Sequence, residues 1–224
     1  MSMATSASSP ARSLLRLCLS LLTAAVLWFI MFSPWTSPMV PSFWWAMTCA
    51  AVVLTTLSAT ATTGFRSALC LPVTLRSLAG TLVLGVGIAV VLWAVFFVGD
   101  KLSQLIFPFA RTQVDGIYGM KGGEPPVLIA ALLLCVIGPA EELFWRGYVQ
   151  HTLAMHFSAN TAFVVTTLVY TLVHLPSGNF MLTMAAMVCG MAWGGLYRLM
   201  PDRLAAIVLS HALWDAAAFV WFPF

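Results

Sequence analysis

Residues 127–147 read VLIAALLLCVIGPAEELFWRG, an apolar run that ends in two adjacent glutamates and an arginine. A run of this length is typical of a helix inside a membrane, where every ionisable group is costly. Such groups usually face the interior of a helix bundle and serve a function. The stretch therefore predicts a membrane helix that carries Glu141, Glu142 and Arg146 into a protein interior.

The sequence on both sides of this stretch is equally apolar. Of the 224 residues, 61% are hydrophobic and 8% are charged, whereas a soluble domain is about 25% charged. No Asp, Glu, Lys or Arg lies between Arg16 and Arg66, nor between Arg146 and Arg198, so each interval has room for two spans of about 20 residues. This composition excludes a soluble enzyme and a secreted disulfide scaffold. The ten basic residues form no cluster, which excludes a nucleic-acid binder.

Hydropathy and turn residues divide the chain into seven predicted membrane helices. Residues 100–126 form a polar segment after the third span, and a short interfacial helix is expected at residues 102–107. Gly80, Gly85 and Gly87 are expected to allow close helix packing, and Trp28 and Trp44 are assigned to an aromatic belt at the membrane surface. The predicted spans are residues 17–32, 43–64, 78–99, 127–155, 161–174, 180–197 and 204–224.

The positive-inside rule predicts the orientation of these helices. An N-terminus in the cytoplasm places most of the basic residues that flank the spans on the same side. Lys101, Arg111 and Lys121 in the polar segment are the exception. The residues placed in the cytoplasm are Arg12, Arg16, Arg66, Arg76, Arg198 and Arg203.

The acidic pair at the end of the fourth apolar run has two different environments. Glu142 and Arg146 are four residues apart, so they share one helix face and can form an ion pair. Glu141 is rotated by about 100° from Glu142 and cannot use that arginine equally well. A carboxylate without its own cation in a low-dielectric environment is a good proton acceptor, which suits a general base. The alternative is that Glu142 and Arg146 only neutralise each other.

Further ionisable residues lie on later helices. If the hairpin after the fourth span turns near residues 156–159, Glu141 and His174 each lie about 15 residues from it and reach a similar depth. His211 and Asp215 are four residues apart, so Asp215 can orient the His211 ring. The same arithmetic places His211 several ångströms closer to its own turn, a mismatch that helix tilt must absorb.

These residues support two chemistries, both of which hydrolyse a peptide bond. In the first, Glu141 and His174 activate a water, while His211, oriented by Asp215, stabilises the oxyanion; no cofactor is needed. In the second, Glu141, His174 and His211 hold a divalent metal such as zinc, which activates the water. Two other classes stay open: a proton-coupled transporter that uses the same groups as a relay, and a catalytically silent membrane scaffold.

Three motifs in the second half of the chain resemble those of a known family. They are EELFWRG beginning at Glu141, YTLVH from Tyr170 to His174, and HALWD from His211 to Asp215. In this order they resemble the EExxxR, FxxxH and HxxxN/D motifs of the CPBP family of CAAX proteases and bacteriocin-processing enzymes, also called the ABI family.

The resemblance implies a role for each matching residue in an intramembrane endopeptidase. Glu141 and His174 are expected to activate water, and His211 and Asp215 to form the pair on the oxyanion side. Supporting residues are Glu142, Arg146 and Tyr170. The fold expected is an all-α integral membrane protein, a bundle of about seven transmembrane helices with the active site among the last four. Residues 1–126 are expected to form an N-terminal three-helix region with a polar loop, and residues 127–224 the catalytic membrane core.

Two positions depart from the family pattern. Tyr170 replaces the usual phenylalanine and adds a hydroxyl that needs a partner. Asp215 stands where eukaryotic CAAX endopeptidases have asparagine, so prenyl-CAAX specificity is not carried over. Expected substrates are membrane-associated proteins or peptides with a C-terminal sorting tail, bacteriocin-like peptides or CAAX-like chains. The expected location is the bacterial inner membrane, with the lipid bilayer as the surroundings and no nucleic acid as a partner.

Overall fold

The computed structural model describes residues 10–61 and 75–224, which form eight helices. Arg66 and residues 62–64 of the predicted second span lie outside the described residues. The helices are α1 (Pro10–Phe32), α2 (Phe43–Ala61), α3 (Leu75–Ile106), α4 (Ala110–Gly119), α5 (Pro126–His156), α6 (Ala159–Leu172), α7 (Phe180–Leu199) and α8 (Leu204–Ala216).

Seven of these described helices, all except α4, are long and apolar enough to cross a membrane. This confirms the all-α membrane bundle predicted from the sequence. The hairpin between α5 and α6 also turns where the sequence predicts, because α5 ends at His156 and α6 begins at Ala159. Ser158 accepts a hydrogen bond of 3.0 Å from the backbone N–H of Thr161 and so caps α6.

The polar segment after the third span differs from the prediction. The expected short helix at residues 102–107 is wrong, because α3 continues to Ile106 and the separate short helix is α4. The polar residues at this end extend the helix instead of stopping it. Asp100 Oδ2 accepts a hydrogen bond of 2.6 Å from the Gln104 side chain one turn later, and Lys101 Nζ lies 3.0 Å from the same oxygen.

The two helices that carry the acidic motif and the last motif lie at the centre of the bundle. In the most apolar window of α5, and likewise of the α8 span, 56% of residues are buried, against 17% in α3. α5 packs against α2 and α8, and α8 also packs along α3. Inside α5, π-helical turns at Leu133–Ile137 and Trp145–Gln150 flank the α-helical segment Gly138–Phe144. Turns of this kind frequently occur at functional sites.

Close contacts between these helices depend on particular glycines. A Cβ at Gly138 on α5 would lie 2.8 Å from the Cα of Ala212 on α8, and a Cβ at Gly85 would lie 2.9 Å from Leu209. Gly80 and Gly87 have no neighbour within 4 Å of a built Cβ. The predicted packing role is therefore confirmed for Gly85 and wrong for Gly80 and Gly87, which lie on faces of α3 turned away from the helices described.

We expect Gly138→Ala to lower the free energy of unfolding by about 1–3 kcal/mol, since the new methyl group meets backbone atoms that cannot rotate away. Thermal unfolding of the purified protein in detergent measures this. Gly87→Ala is the matched control, with a Tm equal to or slightly above that of the unmodified chain because alanine favours a helix. Equal melting temperatures for Gly138→Ala and Gly87→Ala would contradict the expected helix contact.

Candidate active site

The motif residues meet at one cavity of about 440 Å³. Its walls are mainly apolar, and they include the side chains of Glu141, Tyr170, His174, His211 and Asp215. These residues come from α5, the end of α6 and α8, which are separated in the sequence. The structure therefore brings all four predicted catalytic residues to the same cavity.

Glu141 has two unlike carboxylate oxygens. The Tyr170 hydroxyl donates a hydrogen bond of 3.2 Å to Oε2, so the hydroxyl that the sequence left without a partner has one. Oε1 makes no hydrogen bond to the part of the chain that the structure describes. The side chain is 7% exposed. One oxygen is therefore held in place, and the other is available to a molecule in the cavity.

His174 follows the last turn of α6, and both of its ring nitrogens have partners. Nδ1 lies 2.8 Å from the carbonyl oxygen of Tyr170. Since a carbonyl only accepts, Nδ1 carries the proton in this bond. Nε2 accepts a hydrogen bond of 3.2 Å from the indole N–H of Trp28. These two bonds fix both the orientation and the tautomer of the ring.

Trp28 is a site residue that sequence reasoning missed. Its assignment to an aromatic belt is wrong, because its side chain is 0% exposed, and Trp44, at 2%, is also buried. The position near the end of a span is equally typical of a belt residue. α1 contacts the turn at Leu175–Ser177 that follows His174, and this contact brings the indole to the site. The N-terminal helices also contribute to the cavity, because Phe32 and Trp44 line it; the division of the chain at residue 126 stays a prediction.

Glu142 joins two of the motifs. Its Oε1 accepts hydrogen bonds from Arg146 Nη1 at 2.7 Å and from His211 Nδ1 at 2.7 Å. The predicted Glu142–Arg146 pair is confirmed, and both residues are 0% exposed. The pair does more than neutralise itself, because the same oxygen holds the histidine of α8. The sequence predicts that His211 lies at a different depth from the acidic motif. In the structure its ring nevertheless reaches Glu142 on α5.

Asp215 lies on the other side of the His211 ring. Its Oδ2 is 3.4 Å from His211 Nε2, which is long for a hydrogen bond. The sequence assigns the orientation of His211 to Asp215, whereas the shorter bond comes from Glu142. Trp193 on α7, a second missed residue, stacks on the ring with the centroids 3.8 Å apart and the planes at 17°. The stacking and the Glu142 bond hold the ring in place. Nε2 is then the ring nitrogen that is available to a substrate.

The proposed zinc ligands do not fit a metal in this arrangement. Within residues 10–61 and 75–224, no three His, Cys, Asp or Glu side chains are placed to hold a metal ion. His174 Nε2 faces the N–H of Trp28, and His211 Nδ1 faces Glu142. As placed in the structure, Glu141, His174 and His211 therefore do not form a three-ligand metal site.

A comparison with protein families bears on the same region. Residues 123–217 match the family model described as type II CAAX prenyl endopeptidase Rce1-like. This match confirms, over residues 123–217, the resemblance predicted from the motifs. The matched residues include all three CAAX-protease motifs, and the match indicates an intramembrane endopeptidase of the CAAX type. No curated protein and no solved structure matches the chain.

The CAAX-protease pattern leads to a prediction for Tyr170, where the family usually has phenylalanine. We expect Tyr170→Phe to slow cleavage by about tenfold, because it removes one hydrogen bond to a carboxylate, a contribution of about 1.5 kcal/mol. The ring itself keeps its edge contact with Trp145, at a centroid distance of 5.2 Å, so the melting temperature should stay nearly unchanged. Initial rates and thermal unfolding measure both quantities.

Tyr170→Leu is the control for the ring, and it is expected to lose stability as well as rate. A Tyr170→Phe variant with no measurable cleavage and an unchanged Tm would contradict this assignment, since it would make the hydroxyl itself essential.

Proposed function

We propose that this protein is a glutamic-type intramembrane endopeptidase in which Glu141 activates the water that hydrolyses a peptide bond. The observation that carries the proposal is the asymmetry of this carboxylate. Tyr170 holds Oε2, while Oε1 has no partner among the described residues and the side chain lines an apolar cavity. A general base needs a fixed position and a free oxygen within reach of the water.

The reaction proceeds by proton transfers that Glu141 accepts and returns. A water bound to Oε1 gives a proton to the carboxylate, and the oxygen of that water attacks the carbonyl carbon of the scissile bond. The tetrahedral intermediate then collapses, and the C–N bond breaks as Glu141 returns the proton to the leaving amine. His174 becomes a second partner for this water when Nε2 exchanges the Trp28 N–H for a water hydrogen.

His211 and its neighbours stabilise the negative charge that develops on the carbonyl oxygen of the substrate. Nδ1 is held by Glu142, and the ring plane is held by Trp193. Nε2, with only the long contact to Asp215, is free to donate to the oxyanion when it carries a proton. A donor fixed before the reaction stabilises a transition state without reorganisation. Glu142 is thus a positioning residue for His211.

The walls of the cavity support an apolar, membrane-associated substrate. Aromatic side chains from several helices line it, among them Phe32, Trp44, Phe96, Phe180 and Trp214. Such a surface suits a peptide segment next to a membrane anchor, as in a C-terminal sorting tail, a bacteriocin-like peptide or a CAAX-like chain. A library of membrane-anchored peptides, analysed by mass spectrometry after incubation with the protein in liposomes, tests this proposal and locates the scissile bond.

We expect a chelator to leave the cleavage rate unchanged, because no three His, Cys, Asp or Glu side chains among the described residues are placed to hold a metal ion. The measurement is the initial rate with and without prolonged treatment with a zinc chelator, followed by metal analysis of the sample. A rate that falls on treatment and returns with added Zn²⁺ would favour the metal-dependent chemistry and contradict the glutamic one.

A further inference from the structure

The seven spans place their ends on two faces of the bundle. Because consecutive spans run in opposite directions, one face carries the connections at residues 33–42, 107–125 and 173–179, and we name it the loop face. The other carries the start of α1, the hairpin at residues 157–158 and the turn at residues 200–203, and we name it the arginine face.

The active-site cavity lies in the half of the bundle next to the loop face. Its lining residues come from the last turns of α1 and the later parts of α3 and α8, from the first parts of α2, α5 and α7, and from α4. All of these segments adjoin the loop face. Lining residues nearest to that face include Phe32, Phe43, Phe107, Tyr118, Phe180 and Phe224.

Basic residues are distributed unequally between the two faces. The loop face has Lys101, Arg111 and Lys121. Among the described residues, the arginine face has Arg12, Arg16, Arg76, Arg198 and Arg203. All of them lie in short connections or close to the ends of spans, where the positive-inside rule applies. The rule therefore assigns the arginine face to the cytoplasm.

We propose that the active-site cavity opens on the non-cytoplasmic side of the membrane. This inference rests on the proposed endopeptidase function and specifies its substrate class. The substrate is a translocated protein or peptide, cut close to the non-cytoplasmic end of its membrane anchor. A lipid-modified protein that stays in the cytoplasm meets the arginine face and has no route to Glu141.

Cysteine labelling tests the orientation without any need for catalysis. In a full-length chain whose native cysteines are replaced, Thr112→Cys on α4 reports on the loop face and Asp202→Cys on the arginine face; both positions are exposed. With a membrane-impermeant maleimide on intact bacterial cells, we expect Thr112→Cys to be labelled about tenfold more than Asp202→Cys. In permeabilised cells the two should be labelled alike. Equal labelling in intact cells, or stronger labelling of Asp202→Cys, overturns the proposal.

A fusion to the otherwise unmodified chain keeps the test valid if a cysteine variant does not fold. The chain beyond Trp221 lies at the loop face. An alkaline phosphatase joined after Phe224 should be active, because this enzyme folds only outside the cytoplasm, and a green fluorescent protein at the same point should stay dark. A fluorescent fusion with inactive phosphatase overturns the proposal.

Two matched substrates separate this proposal from the endopeptidase function. Both present the same candidate sequences of the peptide library next to the same anchor, one on the non-cytoplasmic side and one on the cytoplasmic side. We expect Glu141-dependent cleavage only of the first. Cleavage only of the second overturns the orientation. If the labelling pattern is as expected and neither substrate is cut, the orientation holds and the endopeptidase proposal fails.

Discussion

Replacing Glu141 by glutamine is expected to lower the cleavage rate by about 10³-fold, the usual contribution of a general base. Glutamine keeps the size of the side chain and its hydrogen bond with the Tyr170 hydroxyl, but an amide does not accept a proton from water at neutral pH. The bundle should therefore fold normally. The rate is measured under single-turnover conditions in liposomes, and folding is checked by thermal unfolding.

Asp115→Asn is the matched control for the Glu141 variant. It also converts a carboxylate to an amide, but Asp115 is 56% exposed by its side chain and pairs with Arg111 on α4, away from the histidines. Its cleavage rate should equal that of the unmodified chain. If Glu141→Gln retained full turnover while Asp115→Asn behaved as expected, another group would have to activate the water, and the role assigned to Glu141 would be wrong.

Replacing Glu142 by glutamine is expected to lower the free energy of unfolding by about 3–5 kcal/mol, the cost of breaking a buried ion pair by removing one partner. Arg146 is 0% exposed and cannot lose its proton, so the variant leaves a cation in the interior without a carboxylate. His211 loses the same charged acceptor, and cleavage should fall together with stability. Chemical unfolding in detergent measures the change.

Two further variants separate charge from packing at this pair. The double variant Glu142→Leu with Arg146→Met removes both charges, so its stability should return close to that of the unmodified chain. Its cleavage should stay low because His211 is no longer positioned. Asp115→Asn breaks an exposed pair of the same spacing and should cost at most about 1 kcal/mol. A Glu142→Gln variant as stable as Asp115→Asn would show that the buried pair contributes nothing.

The sequence determined the features that depend on neighbours along the chain. Apolar run lengths and the gaps in charge predicted seven spans, and the hairpin before α6 begins where Ser158 can cap it. The spacing of four residues placed Glu142 and Arg146 on one face, and they form an ion pair in the structure. Three ordered motifs predicted the family whose model matches residues 123–217. Each of these inferences follows from helix geometry or local composition, which do not depend on how the helices pack.

The tertiary structure decided which face of one helix meets which face of another. No spacing in the sequence links Glu142 to His211 or Trp28 to His174, since these pairs lie 69 and 146 residues apart. Trp193 has no local mark that distinguishes it from a core tryptophan. Such contacts depend on the depth, tilt and rotation of each helix, which are set by packing at positions such as Gly138. The sequence therefore determines which side chains are available for catalysis. The packing of α1, α5, α7 and α8 determines their positions and hydrogen-bond partners.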